Sequence, residues 1–222
     1  MLECIEKETG SKPSIAIIWM HGLGANSSDF ADLDQMLSLP THVHYRFLLP
    51  QAPMLPISIN NGYVMPAWYD IDDQDFRARE DEQGMQASSQ AICDLMQREK
   101  ERGVSHVILG GFSQGGAVAL YTSLRETPLA VAAVVSLSAY LPFSDQLKTA
   151  KEQPTAPIFM AHGTEDGVVP MAWATQSCQL LREADYQVSW QSYPMQHHIC
   201  DAEIASLSKF LSKEIENIVV LT

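Results

Sequence analysis

Runs of apolar residues alternate along this chain with stretches that have the period of a helix. The run at residues 14–20 is almost wholly apolar, which is typical of a strand buried on both faces of a parallel sheet. Met85, Ile92, Leu95 and Met96 lie near helical spacing, which indicates an amphipathic helix. The predicted strands are residues 14–20, 43–50, 104–109, 131–137, 157–161 and 187–190. The predicted helices are residues 26–36, 82–101, 117–124, 171–184 and a last one from about residue 201.

Strands separated by helices predict a mostly parallel sheet with helices on both faces. Residues 50–83 depart from this alternation, because they are Pro-rich and have no clear period. A loop of that length inside a compact domain is usually functional. No repeat, linker or low-complexity tract interrupts the pattern, so we expect one α/β domain over residues 1–222. Ligands of such open sheets bind beyond the carboxyl ends of the strands, which directs attention to the loops that follow them.

Residues 111–115 read Gly-Phe-Ser-Gln-Gly and join a predicted strand to a predicted helix. A G-x-S-x-G in that position is typical of the nucleophile elbow of a serine hydrolase, in which the serine lies on a tight, strained turn. Gly111 and Gly115 fit this turn because a Cβ at either position would clash across it. The alternative is a phosphate-binding loop, but no Lys follows the glycines and their spacing does not fit a dinucleotide fingerprint. The motif therefore predicts Ser113 as a nucleophile.

A serine nucleophile needs a base, and the base needs a third group that fixes its tautomer. In a hydrolase of this kind the acid and the histidine follow the serine in that order. The loop after the strand at 157–161 offers Glu165 and Asp166, and the loop after the last predicted strand offers His197 and His198. The spacing alone leaves both choices open.

A tetrahedral intermediate also needs N–H donors that are already in place for its oxyanion. One is expected from the residue after the nucleophile, Gln114, and the other from the loop after the first central strand. That loop, residues 21–24, reads His-Gly-Leu-Gly, and its glycines allow the backbone to approach a substrate. We expect Leu23 to be the second donor.

Charge and cysteine content narrow the partners and the compartment. The 27 acidic against 14 basic residues give a formal charge of −13, which repels nucleic acid and anionic lipid at long range. No segment approaches the ~20 apolar residues of a membrane span. The four cysteines form no C-x-x-C, and the first eight residues do not read as a secretory signal. These features favour a cytoplasmic protein with reduced thiols and without stable membrane insertion.

Five stretches of the sequence together resemble the acyl-protein thioesterases and their bacterial carboxylesterase relatives. They occur in the family's order through nearly the whole chain, which makes the resemblance specific. The stretches are HGLGA at 21–25, MPAWYD at 65–70, GFSQGG at 111–116, HGTEDGVVP at 162–170 and YPMQH at 193–197.

The resemblance implies an α/β-hydrolase fold that cleaves carboxylic esters or thioesters through an acyl-enzyme. By position it makes Ser113 the nucleophile, Asp166 the acid and His197 the base, with Leu23 and Gln114 as oxyanion donors. It implies no metal or organic cofactor. It also implies the absence of a cap domain, and the sequence agrees, since only about twenty residues separate the strand at 131–137 from the next one.

The residues that contact the acyl group are predicted less directly. Residues 54–59 are too apolar for a solvated loop and either line an acyl groove, cover a dimer face or pack on the protein's own core. Leu55 in this segment, Trp68 beyond it and Val168 in the acid loop are the predicted substrate contacts.

Several alternatives remain at this stage. The same residues would also serve a lysophospholipase, and a catalytically silent binding protein could retain them. His198 is the alternative base. A metal site would have to use His197, His198, Cys200 and Asp201, whose spacing fits neither a zincin nor a zinc finger. A homodimer is possible by resemblance to the family, and its existence is not readable from the residues.

Overall fold

A seven-stranded sheet forms the centre of the molecule in the computed structural model, which describes residues 2–125, 127–150 and 155–220. Its order is β1-β3-β2-β6-β7-β8-β9. β1 is antiparallel to β3, and every other neighbouring pair in this sheet is parallel. The strands are β1 (Cys4–Glu8), β2 (Ile15–Met20), β3 (Tyr45–Pro50), β4 (Met54–Ile57), β5 (Tyr63–Pro66), β6 (His106–Phe112), β7 (Ala130–Leu137), β8 (Ile158–Gly163) and β9 (Val188–Tyr193).

Helices cover both faces of this sheet, as the alternating pattern predicted. α2, α3 and α4 contribute to one apolar cluster, and α1 and α5 contribute to a second cluster on the opposite face. β2, β6 and β7 supply residues to both clusters, which explains their continuous apolar runs. The helices are α1 (Leu33–Met36), α2 (Glu82–Glu101), α3 (Gln114–Ser123), α4 (Met171–Glu183) and α5 (Asp201–Val220).

The predicted helix at residues 26–36 is shorter and broken in the structure. Asn26 does act as an N-cap, and with Asp29 it forms a capping box. The helix that it caps is a single 3-10 turn, Ser27–Phe30, and an α-helical turn resumes only at Leu33–Met36. Polar residues at 26–29 favour the capped turn, since Ser, Asn and Asp side chains compete for backbone groups inside a helix.

Two sheet elements were not predicted. β1 lies at the edge of the main sheet, and its charged residues obscured its strand character. The segment at residues 50–83 was expected to lack regular structure, and this was wrong in part, because β4 and β5 pair there as an antiparallel hairpin. A 3-10 turn, Ser58–Asn60, and Asn61 in the left-handed region connect the two strands.

The parallel arrangement brings the carboxyl ends of β2, β6, β7, β8 and β9 to one edge of the sheet. The described residues between β7 and β8 include the 3-10 turn Ser144–Gln146 and form no cap domain over that edge. Within the described ranges, no helix has both the length and the hydrophobicity that crossing a bilayer requires.

Glu203 of α5 is a carboxylic acid with no solvent exposure, and it gives a prediction about stability. Burial raises its pKa to about 8, and the Cys200 amide opposes only part of this shift. A raised carboxyl pKa means that the folded protein holds the proton more tightly, so the associated stability is present at low pH and is lost as the pH rises towards 8. We expect Glu203→Gln to gain unfolding free energy relative to the parent between about pH 5 and about pH 8.

Urea unfolding of both proteins across this pH range measures the difference. Glu101→Gln is the control, since Glu101 is an exposed acid near the end of α2. The difference in unfolding free energy between Glu101→Gln and the parent should change little with pH. If the difference for Glu203→Gln is also independent of pH, the raised pKa assigned to Glu203 is contradicted.

Candidate active site

Ser113 lies at the sharp turn between β6 and α3, at the carboxyl edge of the sheet. Its φ of 55° and ψ of −121° place a non-glycine residue in a strained region of backbone conformation. The turn is closed by close backbone contacts: a Cβ on Gly115 would lie 2.2 Å from the Met20 carbonyl oxygen, and one on Gly111 would lie 2.5 Å from the Gly115 carbonyl carbon. Only glycine fits either position, so the strain at Ser113 is fixed by its surroundings.

The structure brings Ser113, His197 and Asp166 into one hydrogen-bonded chain. His197 Nε2 lies 3.0 Å from Ser113 Oγ, and His197 Nδ1 lies 2.7 Å from Asp166 Oδ2. A carboxylate only accepts hydrogen bonds, so Nδ1 carries the ring proton and Nε2 is left to accept from the serine hydroxyl. Asp166 follows β8 and His197 follows β9, and the two loops pack so closely that a Cβ on Gly163 would lie 2.2 Å from the Met195 carbonyl oxygen.

The carboxylate of Asp166 is fully enclosed, with no exposed side-chain surface. Burial alone would raise the pKa of this carboxyl group. Hydrogen bonds from His162 and His197 and from the backbone amides of Val168 and Val169 outweigh burial and hold the pKa well below its usual range. Asp166 is therefore ionised at neutral pH and places a negative charge beside His197 Nδ1.

The alternatives at the acid and base positions lie elsewhere. Glu165 is exposed, whereas Asp166 points inward to His197. His198 lines the open pocket beside Ser113, but the hydrogen bond to Ser113 Oγ is made by its neighbour His197. Both ring nitrogens of His197 are engaged, one by a carboxylate and one by a hydroxyl.

The loop after β2 passes directly over Ser113. A Cβ on Gly22 would be 3.4 Å from the Ser113 Cβ, which shows how closely this backbone approaches. His21 holds the loop: its Nδ1 lies 2.8 Å from the Gly22 carbonyl oxygen, and its Nε2 accepts the Ala52 amide at 3.1 Å. These contacts give His21 a single tautomer, with the proton on Nδ1.

The two amides predicted for the oxyanion lack acceptors. Gln114 is the first residue of α3, where an N–H has no partner within the helix. Within the part of the chain that the structure describes, neither the Gln114 amide nor the Leu23 amide donates a hydrogen bond to the protein. Both amides are therefore available to an oxygen next to Ser113.

An open pocket of about 520 Å³ surrounds Ser113, which is within the size range of small-molecule sites. Its wall is mainly apolar and aromatic. Two tyrosines of this wall, Tyr69 and Tyr140, are buried with their hydroxyl oxygens 3.5 Å apart. The larger apolar and aromatic lining residues are Leu23, Phe30, Met36, Tyr69, Ile71, Phe76, Phe112, Tyr140, Val168, Val169 and Ile199.

The three predicted substrate contacts have different positions. Val168 lines the pocket and is 54% exposed. Leu55 lies in β4 and is not among the described residues that line the pocket. The structure does not support Trp68 as a substrate contact, because this residue is 1% exposed and lies in the core, where the indole N–H donates to the His21 carbonyl. A residue enclosed in this way has no surface for an acyl chain.

Sequence reasoning did not single out Tyr69, Phe76 or Tyr140 as pocket residues. A signal existed for Tyr140, since it follows the carboxyl end of β7 and loops in that position bind ligands. Tyr69 and Phe76 lie in the segment without clear period, so only the fold places them in the wall.

A largely parallel sheet with a serine elbow after a central strand, an acid loop and a histidine loop defines the α/β-hydrolase class. The chain belongs to the phospholipase/carboxylesterase family, whose sequence model matches residues 3–215. Membership of this family makes it a hydrolase of esters or thioesters.

Relatives of this chain cover nearly its full length. It is 36% identical over 230 residues to acyl-protein thioesterase 1 of Mycosarcoma maydis, which covers 95% of each chain. It is 30% identical over 215 residues to acyl-protein thioesterase 1 homolog 1 of Dictyostelium discoideum, again covering 95% of each. Among solved structures, acyl-protein thioesterase 2 of Zea mays superposes with a TM-score of 0.86 at 27% identity and covers 96% of this chain and 99% of that one.

The close packing at the elbow predicts the effect of adding one methyl group. In Gly115→Ala the new Cβ would meet the carbonyl oxygens of Met20 at 2.2 Å and His21 at 2.7 Å, so the backbone beneath Ser113 must move. We expect hydrolysis of an activated ester to fall about a hundredfold, the scale of a 1 Å misplacement in an active site.

Gly167→Ala is the matched control, because no heavy atom lies within 4 Å of the Cβ that it adds. Its kcat/KM should stay within about twofold of the parent. Retained activity in Gly115→Ala, with circular dichroism showing a folded protein, would contradict the role given to this contact.

Proposed function

We propose that this protein is a serine hydrolase of carboxylic esters and thioesters that works through an acyl-enzyme on Ser113. His197 is the general base and Asp166 orients it, while the amides of Leu23 and Gln114 stabilise the oxyanion. The observation that carries the proposal is the continuous chain from Asp166 Oδ2 through His197 to Ser113 Oγ, with lengths of 2.7 Å and 3.0 Å.

The reaction proceeds in two halves. His197 Nε2 takes the hydroxyl proton as Ser113 Oγ attacks the carbonyl carbon, and the negative charge on the former carbonyl oxygen is held by the two amides. His197 then gives the proton to the leaving alcohol or thiol as the bond to the carbonyl carbon breaks. Water repeats the attack on the acyl-enzyme, with His197 again acting as base and then returning the proton to Ser113.

The proposed substrates include thioesters and acylated proteins because relatives that share this chain's full length are acyl-protein thioesterases. Two features of the structure support a bulky substrate. No cap domain covers the described carboxyl edge of the sheet, and the pocket opens to solvent beside the half-buried Ser113. All four cysteines are free thiols, which supports the cytoplasm as the working compartment.

Removal of the nucleophile and of each candidate base tests the assignments directly. Ser113→Ala should lower kcat by about six decades, as in other triad hydrolases. His197→Gln should cost a similar amount, since Ser113 loses its base. His198→Gln should keep most of the activity, because His198 makes no hydrogen bond to Ser113 in the structure.

These variants are measured with an activated acyl ester and an activated acyl thioester. Labelling with a fluorophosphonate shows independently whether Ser113 reacts. A His198→Gln variant that loses activity as completely as His197→Gln would overturn the assignment of the base, and an active Ser113→Ala variant would overturn the proposed function.

The apolar wall predicts a preference for longer acyl groups. Each methylene buried against it contributes roughly 0.8 kcal/mol, or about fourfold in kcat/KM, until the chain leaves the wall. We expect kcat/KM to rise from acetyl to octanoyl esters. A fall beyond the short chains would instead indicate a shallow pocket and a short-chain carboxylesterase.

Val168 and Leu55 provide a matched pair of variants for this series. Val168→Ser removes apolar surface from the pocket wall and should lower the octanoyl preference by about fourfold, whereas the acetyl ester should change little. Leu55→Ser, in a strand outside the described pocket lining, should leave the chain-length profile as in the parent. The reverse result would place the acyl chain along β4.

A further inference from the structure

His162 is a buried histidine that the proposed reaction does not use. It lies near the end of β8, four residues before Asp166, and its side chain has no exposed surface. Its Nε2 lies 2.8 Å from the carbonyl oxygen of Val169 and 3.3 Å from Asp166 Oδ2. Asp166 Oδ2 therefore lies near two imidazole nitrogens, Nε2 of His162 and Nδ1 of His197.

The partners of His162 fix its protonation. A carbonyl oxygen and a carboxylate oxygen both only accept hydrogen bonds, so Nε2 must carry a proton. Nδ1 is buried and has no hydrogen-bond partner among the described residues. A proton there would leave a buried N–H unsatisfied, which is costly. His162 is therefore a neutral imidazole with its proton on Nε2.

We propose that His162 is a positioning residue for the acid. Its Nε2–H donates to the Val169 carbonyl and also lies 3.3 Å from Asp166 Oδ2, and this second contact holds Oδ2 in the orientation that His197 requires. This inference rests on the proposed function, because it assigns a role through Asp166 and His197. His162 is absent from the described pocket lining, so it acts on catalysis without touching the substrate.

The arrangement around Asp166 shows what this N–H adds. Oδ1 accepts the amides of Val168 and Val169, each at 2.9 Å, and these hold one oxygen in the acid turn. Oδ2 would otherwise be held by His197 alone, whose ring must also follow the proton during the reaction. His162 supplies a donor from the rigid end of a strand, so the position of Oδ2 does not depend on the moving base.

The positive end of the same N–H dipole, 3.3 Å from Oδ2, also offsets part of the negative charge on Oδ2. With His162 in place, the carboxylate shares its negative charge between two N–H donors and attracts the proton of His197 less strongly. Removal of the donor should concentrate the charge on His197. The acid limb of the kcat/KM profile, which reports protonation of the base in the free enzyme, should then move to higher pH.

Three substitutions separate the N–H from the volume of the ring. The terminal nitrogen of Gln can take the place of Nε2, so His162→Gln keeps a donor to Asp166. His162→Met has nearly the same size and shape as Gln but no donor. His162→Asn keeps an amide but places it near Nδ1, away from the carboxylate. All three are measured for kcat, KM and pH profile on the same activated ester, with Ser113→Ala as the blank.

We expect His162→Met and His162→Asn to lose about tenfold to a hundredfold in kcat with KM nearly unchanged, the scale seen when outer hydrogen-bond partners are removed from other active sites. The acid limb of their kcat/KM profile should move to higher pH. His162→Gln should recover most of kcat and the parental limb. Equal losses of kcat in His162→Gln and His162→Met would show that His162 has a purely structural role. Parental kinetics in His162→Met would show that it has no role, and either result overturns the proposal.

The wild-type protein supplies a test that does not depend on how the variants fold. Nitrogen-15 NMR of labelled histidines at neutral pH should show one ring protonated at Nε2 and bare at Nδ1 that keeps this form when a fluorophosphonate is attached to Ser113. A proton on Nδ1 of His162 would overturn the proposal. If Ser113→Ala itself remains active, the proposed function fails, which is a result distinct from a His162 failure.

Discussion

The contact between the start of α3 and the end of β2 is the constraint on which the site depends. Because Gly115 has no Cβ, its backbone can lie against the Met20 carbonyl oxygen. The Cβ of any other residue would overlap with that oxygen. This contact places the turn that carries Ser113 beside the loop that carries Leu23. Backbone packing thus brings together Ser113 and the two amides that we propose for the oxyanion, before any side chain of the proposed triad contributes.

A second set of hydrogen bonds connects this unit to the pocket wall. The Gln114 side chain accepts the Trp68 amide and donates to the Tyr69 carbonyl, both at 2.8 Å. The Trp68 indole donates to the His21 carbonyl, also at 2.8 Å. Gln114 therefore connects the turn at Ser113 to the segment that contains Tyr69 through its side chain, while its backbone amide is the one that we propose for the oxyanion. Trp68, which the sequence predicted as a substrate contact, instead holds the loop after β2 through the His21 carbonyl.

The sequence predicted the parts of the structure that depend on local pattern. Buried parallel strands produce apolar runs, and the elbow has a fixed glycine spacing, so β2, β6 and the position of Ser113 were readable. The choice of Asp166 over Glu165 needed the family resemblance, since both are acids in one turn. β1 and the β4–β5 hairpin were not readable, because charged edge residues and prolines hide the strand pattern. Burial of Trp68 depends on contacts with residues 46 and 47 positions away, which no local window contains.

Solvent exposure increases from Asp166 through His197 to Ser113, the three groups of the proposed triad. The Asp166 side chain has no exposed surface, that of His197 is 17% exposed, and Ser113 borders the open pocket. The fixed negative charge is therefore enclosed by donors that do not move, where the surrounding dielectric is low and its effect on His197 is strong. In the proposed reaction the proton moves only between His197, Ser113 and the substrate, at the end that water can reach. Because deacylation needs water at that end, the fold can leave the pocket open without weakening the electrostatic support for the base.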